Sequence, residues 1–290
     1  MAPKLDSLYY SGLVIFLFLF NLSSATLHSH NTHEAYMMHA TQRILHFIFW
    51  PIFFIAHLLT FSILSWHLLA QVDFAYPLGY KLLHLQKHIQ ENAPENRFKQ
   101  KFEYTTPQEH WNLFSQITHS VQHHGKGLAE ISYTLPNGSS IPLMHQAEII
   151  HLQDVANLID VIYKTGIVSA IVWLALLVIA YQKRIRFPSV RKILAGFIAS
   201  IASITIVIIL LGAKDIFYWL HTKIFPEGHQ WFFYYDESLM TTLMKAPDIF
   251  AFIALLLISL LIILWMGSVW GMNKLLTTKP NSKSGIKSKN

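Results

Sequence analysis

Four stretches of the chain are almost continuously apolar, and each is long enough to form a membrane-spanning helix. They cover residues 44–70, 162–181, 193–211 and 249–270. A helix needs about 20 mostly apolar residues to cross the hydrocarbon core of a bilayer. The pattern therefore predicts a mainly α membrane protein with a four-helix transmembrane core.

A fifth apolar stretch, residues 8–22, is shorter than these four. At about 15 residues it matches the apolar part of a secretory signal peptide better than a full span. A Ser-Ser-Ala sequence follows it and suits a signal peptidase, but cleavage there would invert the core. Two interpretations of residues 1–43 stay open. The stretch is an additional N-out or interfacial hydrophobic helix, or the native start is Met37 or Met38 and the upstream residues lie outside the working protein.

The segment between the first two spans, residues 71–161, predicts a small α+β cap. Pro107 opens one helical stretch, and alternation over residues 130–133 predicts a strand. A Pro-Asn-Gly turn signal follows, with a returning strand at 141–143. From His145 the pattern is helical and continues into the second span. An earlier helix is indicated by apolar residues at helical spacing: Leu78, Leu82, Leu85 and Ile89.

Composition agrees with lipid as the solvent of the core. The chain is 53% hydrophobic and only 13% charged, whereas soluble domains carry about 25% charged residues. There is no cysteine, which excludes disulfides, thiolate metal sites and a cysteine nucleophile. No phosphate-binding loop, dinucleotide fingerprint or nucleophile-elbow motif is present.

Lysine and arginine predict the orientation. The loop at residues 182–192 carries five basic residues and no acidic one, and the tail at residues 271–290 is likewise basic. Because such loops favour the cytoplasmic side, we expect residues 71–161 and 212–248 to lie outside. The net charge of +6 then reflects topology rather than a nucleic-acid partner. The expected location is the bacterial cytoplasmic membrane, with several spans, a cytoplasmic C-terminus and an extracytoplasmic active side.

The first candidate constellation is Glu148, His151 and Asp154, where the second span begins. Residues three apart share a helix face, so the three side chains are expected to project together. A carboxylate beside an imidazole fixes its tautomer and raises its basicity, which is what a general base requires. The alternative is a solvated polar face at the start of a helix.

The second constellation is His221 with Trp231 and Asp236 in the aromatic outer segment at residues 212–248. We expect His221 to end the third span on the same side of the membrane as His151. Two histidines at one face can share proton transfer and oxyanion stabilisation. The alternative is an aromatic interfacial anchor.

The remaining histidines indicate structural roles more than chemical ones. An N-terminal His-rich tract can bind metals, and a second group on the cap has spacing that permits a weak zinc site. A tract that is cytoplasmic, disordered or untranslated and a solvated helix end are the favoured interpretations, so no metal ligand is predicted. Histidines in or beside the first span can hydrogen-bond across the helix bundle. The three groups are His28, His30, His33 and His39; His119, His123 and His124; and His46, His57 and His67.

The order of these features resembles the DUF1461 family of integral membrane proteins, which includes the bacterial lipoprotein intramolecular transacylases. The resemblance covers about residues 44–272, and its specific part is a Glu-x-x-His-x-x-Asp-Val motif at 148–155 together with residues 221–236. It implies transfer of an acyl chain from a diacylglyceryl lipoprotein to that lipoprotein's own N-terminal amine, without metal or cofactor. His151 and His221 would be the catalytic pair.

Two functional hypotheses follow. The first is acyl transfer on a lipoprotein or another lipidated amine in the outer leaflet. In it His151 is the base, Glu148 and Asp154 orient it, and His221 is the second acid, base or oxyanion partner, with Trp231 and Asp236 in support. The alternative is a non-enzymatic membrane assembly factor or metal-handling accessory protein. Differences such as the His229-Gln230 pair before Trp231 leave the substrate open.

Overall fold

The computed structural model describes residues 32–277, with side chains from residue 47 onward except at residue 213. The short apolar stretch at residues 8–22 lies outside the described residues. The chain divides into two units, Met1–Trp50 and Pro51–Asn290. The described part of the first unit is helical, and the second unit contains the rest of the fold.

The fold is mostly helical, with one small sheet. In chain order the elements are α1 (Thr32–Ala70), α2 (Tyr76–Leu82), α3 (Leu85–Asn92), α4 (Pro107–Gln122), β1 (Ser132–Thr134), β2 (Ser140–Pro142), α5 (Gln146–Gln182), α6 (Val190–Leu211), α7 (Ala213–Ile224), α8 (Leu239–Met244) and α9 (Asp248–Thr277).

Within the described residues, four helices are long and apolar enough to cross a membrane. They are α5, α6, α9 and the Phe47–Ala70 part of α1, and an 18-residue window of each reaches a mean hydropathy of 2.1 to 3.0. These helices confirm the expected mainly α architecture with four long apolar helices. At 37 residues, α5 is much longer than the roughly 20 residues that a bilayer requires. Its first turns belong to the cap, since Leu152 and Ala156 lie in the cap's apolar core.

The cap consists of α2, α3, α4 and a β-hairpin that is joined to the start of α5. Strands β1 and β2 pair antiparallel, with Tyr133 opposite Ile141, and Gly138 adopts φ 83° in the turn between them. The predicted hairpin is therefore present. Helix α4 begins after Thr106, whose side chain accepts a hydrogen bond from the Glu109 N–H, as an N-cap residue does.

Aromatic rings dominate the cap's core. Tyr76 and Phe114 stack with centroids 3.9 Å apart and planes 6° apart, and the Tyr76 hydroxyl donates to the Leu243 carbonyl at 2.7 Å. Buried His110 uses both ring nitrogens, Nδ1 with the Tyr80 hydroxyl at 2.8 Å and Nε2 with the Thr105 hydroxyl at 2.7 Å. Burial lowers the pKa of His110 to about 4, so this histidine is a neutral structural group.

The first cap helix differs from its prediction. One apolar face through Leu78, Leu82, Leu85 and Ile89 was expected, but Leu78 and Leu82 are exposed while Leu85 and Ile89 are buried. The cause is a break after Leu82, because His84 takes a left-handed φ of 54° and starts a new helix in another direction. A single helical period cannot continue across such a residue.

The third long helix ends where its apolar pattern does, but His221 does not end it. Helix α6 stops at Leu211, the last residue of the predicted span at 193–211, and Gly212 adopts φ 84° and ψ 127°. Glycine reaches this region without the steric cost of a Cβ. His221 therefore lies on a separate short helix, α7, instead of ending the third span.

Polar contacts join the long helices at two levels. His57 Nε2 pairs with the Ser268 hydroxyl at 2.9 Å, and its ring stacks on Trp173 at 5.2 Å. Nearer the cap, His67 Nδ1 pairs with the Tyr163 hydroxyl at 3.2 Å. Both pairs confirm the expectation that these histidines hydrogen-bond across the bundle.

A close contact between α1 and α5 predicts a packing effect at Gly166. A Cβ there would come within 2.7 Å of Ile63 Cγ1 and 2.9 Å of Ile63 Cβ, whereas a Cβ on Gly196 of α6 meets nothing within 4 Å. We expect Gly166→Ala to lower the free energy of unfolding by about 1–3 kcal/mol through overpacking. Gly196→Ala should be neutral or stabilise by up to about 1 kcal/mol.

Tryptophan fluorescence during thermal unfolding in detergent micelles would measure both variants. Equal unfolding temperatures for Gly166→Ala and Gly196→Ala would contradict this packing.

Candidate active site

The site is organised around the carboxylate of Glu148, which is 1% exposed. One oxygen accepts the His145 backbone N–H at 2.8 Å, which caps the start of α5. The other accepts a short hydrogen bond from the Ser238 hydroxyl, and that hydroxyl in turn accepts the Thr241 N–H at the start of α8. Burial raises the pKa of Glu148, while the hydrogen bonds from Ser238 and His145 act in the opposite direction.

His151 lies one turn further along α5, under the aromatic residues of the outer segment. Its ring is 5.0 Å from Phe225 and 6.0 Å from Phe233, and its Nδ1 is buried without a hydrogen-bond partner. Burial, reinforced by the neighbouring His221, lowers the pKa of His151 to about 4, although Asp154 acts in the opposite direction. The ring is therefore neutral at pH 7.

His221 approaches the same place from α7. Its Nδ1 lies 2.8 Å from the Phe217 carbonyl, a contact in which only a protonated Nδ1 can donate. In the neutral ring this leaves Nε2 as the proton acceptor. The ring of His221 lies 5.3 Å from Phe225 and 4.7 Å from Trp231. His151 and His221 thus both contact the phenyl ring of Phe225, and His221 acts electrostatically on His151.

The two carboxylates expected to orient His151 contact other groups. Glu148 accepts from His145 and Ser238, and Asp154 Oδ2 pairs with His229 Nδ1 at 2.6 Å. The helix geometry explains the divergence. Three residues advance an α-helix by about 300°, so Glu148 and Asp154, six residues apart, point in directions that differ by about 120°. No hydrogen bond joins His151 to either carboxylate.

The two supporting residues of the second constellation also separate. Trp231 packs against His221 and Tyr218, so it belongs to the histidine pair. Asp236 instead binds Arg97, with Oδ2 3.1 Å from Nε, and its carbonyl accepts the Arg97 N–H at 2.9 Å. Glu237 also binds the Arg97 guanidinium, at 2.6 Å. Asp236 therefore fastens the outer segment to the cap, away from the histidines.

The sequence-based prediction missed the tether residues Arg97 and His145 and the partner role of His229. A signal existed for one of them, because a glutamate at the third position of a helix is half of a capping box, which predicts the bond from Glu148 to the His145 N–H. Arg97 and His229 pair with residues far along the chain and leave no periodic signal.

The other histidine groups lie away from this site or outside the described side chains. His119 and His123 stack with centroids 4.0 Å apart, and His124 pairs with Asp160 at 2.7 Å. Among the described side chains, which begin at residue 47, no group of three or more histidine, aspartate and glutamate residues is arranged to hold a metal ion. Of the N-terminal tract, His28 and His30 lie outside the described residues, as do the side chains of His33 and His39.

Together these features define a class: a protein with four membrane-length helices, a helical cap and a pair of histidines packed against aromatic rings. The family model described as lipoprotein intramolecular transacylase Lit matches residues 44–248, well over half of the chain. The chain belongs to this family. The match supports the transacylase resemblance drawn from the sequence. No curated protein and no solved structure was found to match the chain.

The tether at Glu148 makes a prediction for stability. Glu148→Ala removes the acceptor of the buried Ser238 hydroxyl and of the part-buried His145 N–H. A buried donor without a partner costs about 1–3 kcal/mol, so the variant should lose about 2–4 kcal/mol of unfolding free energy. Glu91→Ala removes an exposed ion pair with Lys87. It should change the unfolding free energy by less than about 0.5 kcal/mol.

Denaturant unfolding in micelles would test the pair. An effect of Glu148→Ala no larger than that of Glu91→Ala would show that the buried carboxylate does not hold the segment down.

Proposed function

We propose that this protein is a membrane-embedded acyltransferase that moves an acyl chain from a diacylglyceryl lipoprotein to the amine at that lipoprotein's N-terminus, leaving a lyso-lipoprotein. The family membership supports the reaction class. The observation that carries the proposal is the meeting of His151 and His221 around Phe225. Two titratable groups of this kind suit a reaction that needs one proton removed and one oxyanion stabilised.

The two environments favour different roles for the two histidines. His221 has its Nδ1–H engaged by the Phe217 carbonyl, which makes Nε2 the base that deprotonates the attacking amine. His151 is buried and neutral, and a neutral imidazole can donate its N–H to a developing oxyanion, a use that other enzymes make of a histidine with a lowered pKa. This exchanges the roles suggested by sequence spacing. Trp231 packs against His221 and holds its ring.

The same geometry fits a substrate that carries both donor and acceptor. The ester and the amine belong to one molecule, so holding that molecule in place supplies much of the rate without a second substrate. The partners expected are therefore the lipoprotein and the lipid around it.

The path for the acyl chains is suggested by α6. Phe197 stacks on Trp265 of α9 at 4.6 Å, but every residue from 198 to 211 is exposed. That exposed half of α6 leads directly into α7, which carries His221. A diacylglyceryl group lying along it would bring its ester to the histidine pair with both chains still in an apolar environment, which avoids the cost of exposing them to water.

The orientation follows from the basic loop. Residues 183–192 carry Lys183, Arg184, Arg186, Arg191 and Lys192 without an acidic residue, which favours the cytoplasm. We propose that the four long helices cross a bacterial cytoplasmic membrane and that the cap and the histidine pair face outward. The outer leaflet would then supply the substrate.

Substitution of either histidine should abolish the transfer. In a host that lacks this activity, the wild-type chain should yield lyso-lipoprotein N-terminal peptides by mass spectrometry. His151→Gln and His221→Gln should lower product formation by at least about 100-fold at equal protein levels in the membrane. His119→Gln changes an exposed histidine of the cap and should leave product formation unchanged.

Retention of the lyso-form in both site variants would contradict the assignment. A wild-type chain that makes no product, yet binds a metal or a protein stoichiometrically even after His221→Gln, would favour an accessory role instead.

A further inference from the structure

A third histidine lies at the edge of the site and is tied to it by a carboxylate. His229 Nδ1 is 2.6 Å from Asp154 Oδ2. The His229 side chain is 40% exposed, and the Asp154 side chain 13%. Asp154 comes three residues after His151, and the segment that carries His229 also supplies Phe225 and Phe233, which cover His151. The Asp154–His229 contact therefore links the helix that carries His151 to a partly exposed imidazole.

The proposed reaction leaves one proton that must exit. The amine starts as an ammonium ion, bonds to the acyl carbon and becomes an amide, so it gives up two protons. The bond between that carbon and the glyceryl oxygen breaks, and the oxygen keeps the electron pair and takes one proton to become a hydroxyl. The second proton has to reach water before the next turnover.

His151 is poorly placed to release that proton itself. Phe225 and Phe233 lie against its ring, and its buried Nδ1 has no hydrogen-bond partner. Phe225 and Trp231 lie against the ring of His221. Asp154 acts on His151 electrostatically and on His229 through a hydrogen bond. One carboxylate thus acts on the inner ring and is hydrogen-bonded to the outer one.

We propose that Asp154 and His229 form the proton exit of the site, with His229 passing the released proton to bulk water and Asp154 holding its ring toward the histidine pair. This inference rests on the proposed acyl transfer. An aspartate that engages one nitrogen of an imidazole leaves the other to exchange a proton, the arrangement used in Asp–His pairs of hydrolases. His229 is thus a proton-transfer group, and Asp154 is a positioning residue.

The chain contains a matched control for this pair. His124 Nδ1 bonds Asp160 Oδ2 at 2.7 Å, also between an exposed histidine and a carboxylate of α5. Asp160 lies nine residues beyond His151 and is not among the groups that act on it. Loss of His124 removes an equivalent surface tether without touching the proposed route.

The test uses the full-length protein in lipid nanodiscs and a synthetic diacylglyceryl lipopeptide. His229→Gln keeps an N–H that can bond Asp154 but cannot carry a proton. In weakly buffered solution at fixed pH, we expect transfer at least tenfold slower than in the wild type. Imidazole, added at constant ionic strength, should restore the rate in proportion to its concentration. Wild type and His124→Gln should be insensitive to it.

Each other outcome overturns the inference. A His229→Gln rate equal to that of the wild type excludes His229 from the route. A slow variant that imidazole does not rescue indicates that the pair serves only to hold the segment. A second variant, Asp154→Asn, keeps an oxygen that accepts from His229 but carries no charge. It should also be slow and respond to imidazole. The result therefore does not depend on the folding of one variant. If the wild type itself transfers no acyl chain, the proposed function fails rather than the exit alone.

Discussion

The buried carboxylate of Glu148 is the contact on which the other features of the site depend. It joins two parts of the chain that are 90 residues apart, the start of α5 and the start of α8, through one backbone N–H and one hydroxyl. Because both donors are used inside the protein, releasing the segment would leave buried polar groups without partners. The segment between α7 and α8 is therefore held over α5, and this brings Phe225 and Phe233 onto His151.

Two further contacts hold the same segment, one at each end of the stretch from residue 229 to residue 237. Arg97 binds Asp236 and Glu237 at the far end, and His229 meets Asp154 near the histidine pair. Between these two contacts, Phe233 packs against His151 and Trp231 packs against His221. The charged groups of these two contacts lie at the ends of the segment and the rings between them are apolar, and burial among them keeps His151 neutral. The same arrangement that fixes the geometry also sets the protonation state needed to stabilise an oxyanion.

Local signals in the sequence predicted most of the helices and strands. Contacts between residues far apart in the chain were not predicted. The turn at Gly138, the start of α4 at Pro107 and the four long helices each depend on a few neighbouring residues. The proximity of His151 and His221 was a hypothesis that topology allowed, and the structure brings the rings to one phenyl side chain. The hydrogen-bond partner of Asp154 lies 75 residues away, so spacing along one helix could not predict it. The breaks at His84 and Gly212 depend on single left-handed residues inside otherwise helical patterns.

The central claim is that His151 and His221 act as one unit, and a double-mutant cycle tests it most directly. Single-turnover acyl transfer would be measured for His151→Gln, His221→Gln and the double variant, with equal amounts of folded protein in nanodiscs. Residues that work as a unit have strongly non-additive effects. The account predicts that the double variant is about as slow as the slower single variant. A double variant whose loss equals the product of the two single losses would contradict it, because the two histidines would then act independently.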